Sequence, residues 1–313
     1  MSVENEKIIN NLEEKLEGKM PVTKEDLIHL VNSWGRLGDV NIAIEGSFFA
    51  YKKCEPKECY DLSKLNTSKI TNMASLFSKS LFNGDISQWD TSKVTNMSSM
   101  FEGAKNFNSS LYWDASNVTS MDFMFAYAEK FNSPISLTTS ELLVDTTGMF
   151  QGATNFNQPL KSFNTSNVTN MYGMFQEATK FDQEINFDTS KVLNMGSFLF
   201  CANAFSKPIN FNVSNTTNLN YMLEDTTAFI KKYNNGKEFP KSTFDIKNWL
   251  NNNKERMNEI HENSIKDKLD NNKNEFEQLI KDKNIPIDSK LYKELFKVYN
   301  DTQDKLKQDL EEL

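Results

Sequence analysis

Asp90-Thr-Ser-Lys-Val94-Thr-Asn-Met97-x-x-Met100-Phe101-x-x-Ala104-x-x-Phe107-Asn108-x-x-Leu111 decides the fold, because the same grammar returns along the chain. Upstream it reads Asn66-Thr-Ser-Lys-Ile70-Thr-Asn-Met73. Downstream it reads Asn164-Thr-Ser-Asn-Val168-Thr-Asn-Met171-x-x-Met174-Phe175-x-x-Ala178-x-x-Phe181 and then Asp188-Thr-Ser-Lys-Val192-x-Asn-Met195. Phe77, Phe101, Phe125, Phe150, Phe175 and Phe200 follow one another at 24, 24, 25, 25 and 25 residues. A fixed period of this length marks stacked repeat units.

One such unit cannot bury its own apolar positions, but stacked copies turn its Val, Met, Phe, Ala and Ile rows into stripes of a shared core. Within the unit, Met97-x-x-Met100-Phe101-x-x-Ala104 has 3/4 spacing and predicts a short helix or helical turn. The end of Phe107-Asn-Ser-Ser-Leu111-Tyr-Trp113 has apolar residues two apart and predicts a short strand. Stacked strands would form a narrow parallel sheet with coils about 4.8 Å apart, so six coils extend on the order of 30 Å. Asn72, Asn96, Asn170, Asn194 and Asn218 recur at one position, and Asn83, Asn108, Asn132 and Asn157 at another. Such rows suit side chains that satisfy backbone groups in turns, coil after coil. The Asp-Thr-Ser and Asn-Thr-Ser triplets read as turn formers. The expected fold is an α/β repeat: a short leucine-rich-repeat-like solenoid of about six 24–25-residue coils. A helical N-terminal cap with a connecting segment occupies 1–60, the repeats 61–230 and a C-terminal helical hairpin 231–313. Phe77 to Phe82 and Phe200 to Phe205 are one residue shorter than the Phe101 to Phe107 step, as atypical terminal coils would be.

Composition narrows the function. The 313 residues carry a net charge of −8, with 24 Phe and 13 Met against 11 Gly. A nucleic-acid partner would call for a concentrated basic face, which an acidic chain of pI near 5.1 does not offer. No apolar run reaches the roughly 18 to 20 residues that span a bilayer, and Met1-Ser-Val-Glu-Asn-Glu-Lys7 has no basic leader or apolar signal core. The expected location is therefore cytoplasmic, or the cell surface if the sequence is truncated or exported unconventionally. Cys54, Cys59 and Cys201 make neither a disulfide framework nor, with so few histidines, a zinc site. His29 and His261 sit alone on helical flanks. No GxxxxGK[ST] or GxGxxG cradle is present, so no enzyme activity, metal or cofactor is expected.

The string Trp89-Asp-Thr-Ser-Lys-Val-Thr-Asn-Met-Ser-Ser-Met-Phe-Glu-Gly-Ala-Lys-Asn-Phe-Asn108 resembles the repeat of the BspA-like leucine-rich-repeat surface proteins, also known as mycoplasma lipoprotein-associated repeats. The resemblance recurs from about Leu65 to Tyr221. Thr23-Lys-Glu-Asp-Leu27-Ile-His-Leu-Val31 looks like that family's N-terminal cap helix, with Thr23 and Asp26 spaced as a capping box variant. The resemblance implies a bacterial or microbial protein that binds other macromolecules, often at the surface as an adhesin, and transfers no catalytic residue.

The flanks differ from the repeats. Ile8, Ile9, Leu12 and Leu16 predict a short amphipathic helix, and Ile42 to Tyr60 is an insertion-like stretch. After Phe239-Pro240 the composition turns to Lys, Glu, Asp and Asn. Ile246, Leu250, Met257, Ile260, Leu269, Phe276 and Ile280 then follow helical spacing up to a break at Asn284-Ile-Pro286. Leu291, Leu295, Val298, Leu306 and Leu310 continue on a second helix, which leaves open a capping role or a homo-oligomer through residues 241–313.

A protein-binding scaffold should keep its core and vary its surface. Alternation about the strand places Asp85, Ser110, Pro134, Pro159, Glu184 and Pro208 in one outward row. It places Ser87, Tyr112, Ser136, Lys161, Asn186 and Asn210 in the other. Tyr112, Lys161, Glu184 and Asn186, flanked by Asp85 and Ser87, are the expected contacts, since aromatic and charged side chains give anchors and selectivity.

Overall fold

From Met97 to Ala104 every backbone N–H has an acceptor, and the acceptors alternate. Met97, Ser99, Phe101 and Gly103 donate forward to the carbonyls of Ser120, Asp122, Met124 and Ala126 in the next repeat. Met100, Glu102 and Ala104 close turns onto the carbonyls of Met97, Ser99 and Phe101. Ser98 N–H is taken by its neighbour Asn96 Oδ1 at 2.8 Å. This account comes from a computed structural model that describes residues 14–32 and 61–311.

The alternation corrects the expected helix. An α-helix would turn all these donors back along its own axis. Here two residues four apart in each repeat take positive φ, as at Ser99 (54°) and Gly103 (64°), and this aims alternate donors sideways. Met97, Met100, Phe101 and Ala104 still share one buried side, which is why the spacing mimics a helix. The same pattern repeats at 75/79, 123/127, 148/152, 173/177, 197/201 and 221/225. Parallel bridges join Asn72, Asn96, Ser120, Asp145, Asn170, Asn194 and Asn218 in order, so the described residues hold seven stacked coils rather than six.

The strand expectation also needs correction. β1 (Leu111–Ala115) and β2 (Ile135–Thr139) pair in parallel with Leu111 opposite Ile135, and among the described residues no other strands form on that side. The continuous ladder runs along the Asn-Met turns instead.

Inside the stack two rows of rings lie in register. Phe77, Phe101, Phe125, Phe150 and Phe175 are parallel to within 3–5°, with centroids 5.1–5.6 Å apart. A second row, Phe82, Phe107, Phe131, Phe156, Phe181, Phe205 and Phe229, is spaced at 5.8–6.3 Å. Trp89 and Trp113 stack beside them, their indole N–H groups donating to the carbonyls of Leu62 and Ile86. Register corrects the first row's last member. Phe175 N–H bonds the carbonyl of Phe198, so Leu199 is the equivalent residue. Leu199 is fully buried whereas Phe200 is partly exposed. The step from 199 to Phe205 is then the ordinary one, and only the first coil is short.

The polar triplets divide the turn work. Asp90 and Asp188 each accept their own turn's Ser N–H, at 3.0 and 2.9 Å. The buried hydroxyls of Thr67, Thr91, Thr165 and Thr189 reach the carbonyl of the next coil's Asp or Asn. Asn83, Asn108, Asn132 and Asn157 each receive the backbone N–H of the next coil at 2.7–2.8 Å.

Both ends are covered. α1 (Lys24–Asn32), which includes His29, is capped reciprocally by Thr23 and Asp26. Just ahead of it Val22 N–H bonds Asn66 of the first coil. At the other end α2 (Thr227–Tyr233) carries Phe229, and Tyr221 N–H donates to the carbonyl of Lys241. Leu219 N–H donates to Thr243 Oγ1, and Trp249 packs on Phe229 and Phe239. The compact unit of the repeats therefore runs to Trp249, beyond residue 230. The second unit, 250–313, contains the rest of α3 (Thr243–Asp282) and α4 (Lys290–Glu311). Its two helices are antiparallel, with Phe276 against Tyr292, Phe296 and Tyr299, and Gln303 donating to the carbonyl of Leu269. The expected helix around Ile8, Ile9 and Leu12, the stretch from Ile42 to Tyr60 and the pair Cys54 and Cys59 lie outside the described residues.

The register makes a prediction. Leu199→Ala should cost about 2–5 kcal/mol of stability, and Phe200→Ala well under half as much. Urea denaturation of both variants checks it, and equal losses would return Phe200 to the core row.

Candidate functional site

Two outward surfaces carry side chains that change from coil to coil. On the strand side, Tyr112 stands 59% exposed on β1, beside its pair Ser136. Lys161 and Asn186 are exposed, and Glu184 is half-buried, 3.6 Å from the ammonium of Lys207. Asp85 accepts the N–H of Ser87 at 2.9 Å, and that turn bond holds its carboxyl below the ordinary range. These six residues belong to four different coils. The structure brings Asp85 and Ser87 together as one turn, but among the described residues strand pairing on this side ties only the coils of Tyr112 and Ser136.

The ladder side is continuous through all seven coils, and sequence reasoning assigned it to a helix rather than to a surface. Each coil places four variable residues on this side, those written x in Met-x-x-Met-Phe-x-x-Ala, although Ala126 and the glycines among them are covered by their neighbours. They read Asp122, Phe123, Ala126 and Tyr127 in the third coil and Thr147, Gly148, Gln151 and Gly152 in the fourth. In the fifth they read Tyr172, Gly173, Gln176 and Glu177.

Aromatic rings on this side lie over glycines of the following coil. A Cβ built on Gly152 would stand 2.4 Å from Tyr127 Cδ1, and one on Gly148 2.5 Å from Phe123 Cε1. One on Gly196 would meet Tyr172 at 3.1 Å. Each ring therefore rests on bare backbone, while Tyr127 keeps 42% and Tyr172 41% of its surface in solvent. Gln151 Nε2 donates to Tyr127 Oη at 3.0 Å and pins its ring across the coil boundary. Burial, with the carboxylates of Glu177 and Glu102 nearby, raises the Tyr127 hydroxyl above its ordinary pKa. The phenol is therefore a hydrogen-bonding group at neutral pH rather than an acid or base.

Cys201, at a positive-φ position in the sixth coil, has its thiol pushed up by burial and by Asp225, Glu177 and Glu224, away from the reactive thiolate. Among the described residues no group of His, Cys, Asp and Glu is disposed to hold a metal ion, and no helix is long and apolar enough to cross a membrane. What the surface offers chemically is contact: flat aromatic faces, amides and carboxylates on a rigid frame.

The ladder residues were findable. A repeat whose x positions hold Phe and Tyr in one copy and Gly in the next carries a complementary pair across a coil boundary, provided the register is known.

A family model described as a mycoplasma protein of unknown function, DUF285, matches residues 44–142, 138–239 and 186–294. Its three overlapping matches cover the seven coils and run on into the helical tail. No curated protein and no solved structure matches the chain.

The ring-on-glycine geometry predicts the order of two substitutions. Gly152→Ala has both a strained φ of 64° and a ring in the way, whereas Gly173→Ala has φ 57° and only the flexible Gln176 side chain at 3.1 Å. The first should cost about 2–3 kcal/mol and the second about 1. Adding Tyr127→Ala to Gly152→Ala should recover part of the loss in a double-mutant cycle. Equal costs for the two glycines would show that the ring does not rest there.

Proposed function

The chain belongs to this family of mycoplasma repeat proteins, and we propose that it is a non-catalytic protein-binding scaffold. In this reading the repeats form a short leucine-rich-repeat-like solenoid of the BspA type, and its ladder face is the contact surface. One observation carries the proposal: buried rows are nearly constant from coil to coil, while the outward x positions vary and hold solvent-facing rings. Tyr127 is held by Gly152 and Gln151 and Tyr172 lies over Gly196, so little side-chain freedom is lost when a partner covers them. Aromatic anchors of this kind supply most of the energy of ordinary protein interfaces. A surface adhesin for host matrix or cell-surface protein and an intracellular adaptor both use such a face. They differ in the source of the partner.

Affinity capture on the full-length chain, from the source cell and from host matrix proteins in parallel, tests this. Replacing Tyr127 and Tyr172 together by Ser should weaken the captured partner at least about tenfold, or ~1.4 kcal/mol. Alanine at Tyr112, Lys161, Glu184 and Asn186 together should leave it bound. The reverse result would move the site to the strand side, and no effect from either set would remove the solenoid from binding.

A second reading, self-association through the tail, is favoured by one feature of the second unit. On α4, Leu291 and Val298 stand seven residues apart and are 52% and 64% exposed, with Ile287 exposed just before the helix. Apolar residues at that spacing form a seam for another helix. Light scattering of the full chain should then show a defined oligomer that Leu291→Glu with Val298→Glu converts to monomer. A wild-type monomer at the same concentration would dismiss this reading.

A further inference from the structure

The ladder face is charged as well as aromatic. Its x positions hold Glu102, Asp122, Glu177, Glu224 and Asp225 against the single cation Lys79. Two of these carboxylates have local partners: Asp122 accepts the hydroxyls of Ser98 and Ser120, and Glu224 pairs with Lys241 at 2.6 Å. Glu102 and Glu177 have no lysine or arginine partner among the described residues, although Glu177 accepts an amide N–H from Gln176 at 3.2 Å. These two flank Tyr127. Glu102 lies in the coil before it. Glu177 occupies the same row two coils later, across Gly152, where no side chain intervenes. After burial, both carboxylates add to the rise of the phenol's pKa, since neighbouring negative charge disfavours the phenolate.

We propose that the surface formed by Tyr127, Phe123, Glu102 and Glu177 binds an arginine-bearing extended segment of a partner protein. The inference rests on the scaffold reading above and names the chemistry of its partner. A guanidinium is planar, stacks on an aromatic face and pairs with carboxylate oxygens in the same plane. Tyr127 supplies the face, already held flat from beneath by Gly152, and the two carboxylates supply the charge on either side. The distance suits a peptide. Glu102 and Glu177 are three coils apart, about 14 Å at roughly 4.8 Å per coil, and an extended segment of four or five residues covers that span. Lys79, the one cation among the x positions, lies two coils from Tyr127; its side chain lies over Gly103 beside Glu102, so the free charge is greatest on the Glu177 side of the ring. Ammonium groups fit the charge but not the stacking, so arginine should be preferred over lysine.

The test uses full-length protein and three fluorescein-labelled pentapeptides, Arg-Gly-Arg-Gly-Arg and its Lys and Glu counterparts, read by anisotropy at low and high salt. The arginine peptide should bind saturably, more tightly than the lysine peptide, and weaken with salt, while the glutamate peptide should not bind. Tyr127→Leu, which changes no charge, and Glu102→Gln with Glu177→Gln should each weaken it about tenfold. Tyr127→Phe should retain binding and guards against a folding defect in the leucine variant. Glu141→Gln with Glu255→Gln removes the same charge from other exposed positions and should have no comparable effect. The proposal is overturned if the arginine peptide does not saturate, if the charge control loses as much as the double glutamine variant, or if Tyr127→Leu binds as wild type. A captured protein partner that depends on Tyr127 while the peptides fail would sink the arginine chemistry and leave the scaffold standing. Loss of both dependences would sink the two together.

Discussion

Backbone amides pointing from one coil into the next are the constraint on which the other features depend. Four forward bonds per coil fix the register, and the register puts Phe over Phe at about 5.5 Å and Thr hydroxyls under the next coil's carbonyls. Sending alternate N–H groups sideways needs two left-handed residues per coil, and most of those are not glycine. Each such residue costs on the order of 1 kcal/mol. That cost is offset because no donor in the segment is left unbonded, and a buried unbonded donor costs as much or more. The Asn row completes the account by taking the one N–H that neither turn nor ladder reaches.

Much of this was legible from the residues alone. The period, the inward Val, Met, Phe and Ala, the turn role of Asp-Thr-Ser and the helical tail follow from spacing and residue type. The ladder was not legible, because Ser99, Phe123, Tyr127 and Glu177 give no local sign of positive φ, and 3/4 spacing suits a turn ladder as well as a helix. Phe200 misled for a related reason. A phenylalanine one place out of register looks like a member of the row until the bonds of Phe175 and Leu199 are seen. The ladder face stayed hidden for the same reason. Once Met97 to Ala104 is read as a helix, its x residues look like ordinary solvated positions, and attention moves to Tyr112 and Lys161.

Surface and core are built by different rules in this chain. Core rows reward sameness, since each ring's neighbours are copies of itself. The ladder face rewards difference, because Tyr127 can lie flat only if the next coil offers Gly152, and Phe123 only if it offers Gly148. A variable face is thus not free to vary position by position. Its unit of change is a pair spanning two coils, which ties the chemistry of recognition to the stability of the stack.

The forward bonds also give the stack a direction. In each coil four amides point toward the C-terminal end, and few return, as Thr95 N–H does to Thr71. Their dipoles add along the array as they do in a helix, rather than cancelling as in a strand pair. One end is therefore rich in unspent donors and the other in unspent acceptors. The segment 241–243, which offers the carbonyl of Lys241 and the hydroxyl of Thr243 to the last coil, is an acceptor plug for the donor end. A further coil can be spliced between the ends wherever it does not part a ring from its glycine, but the two closures cannot be exchanged, so the array can lengthen only from within.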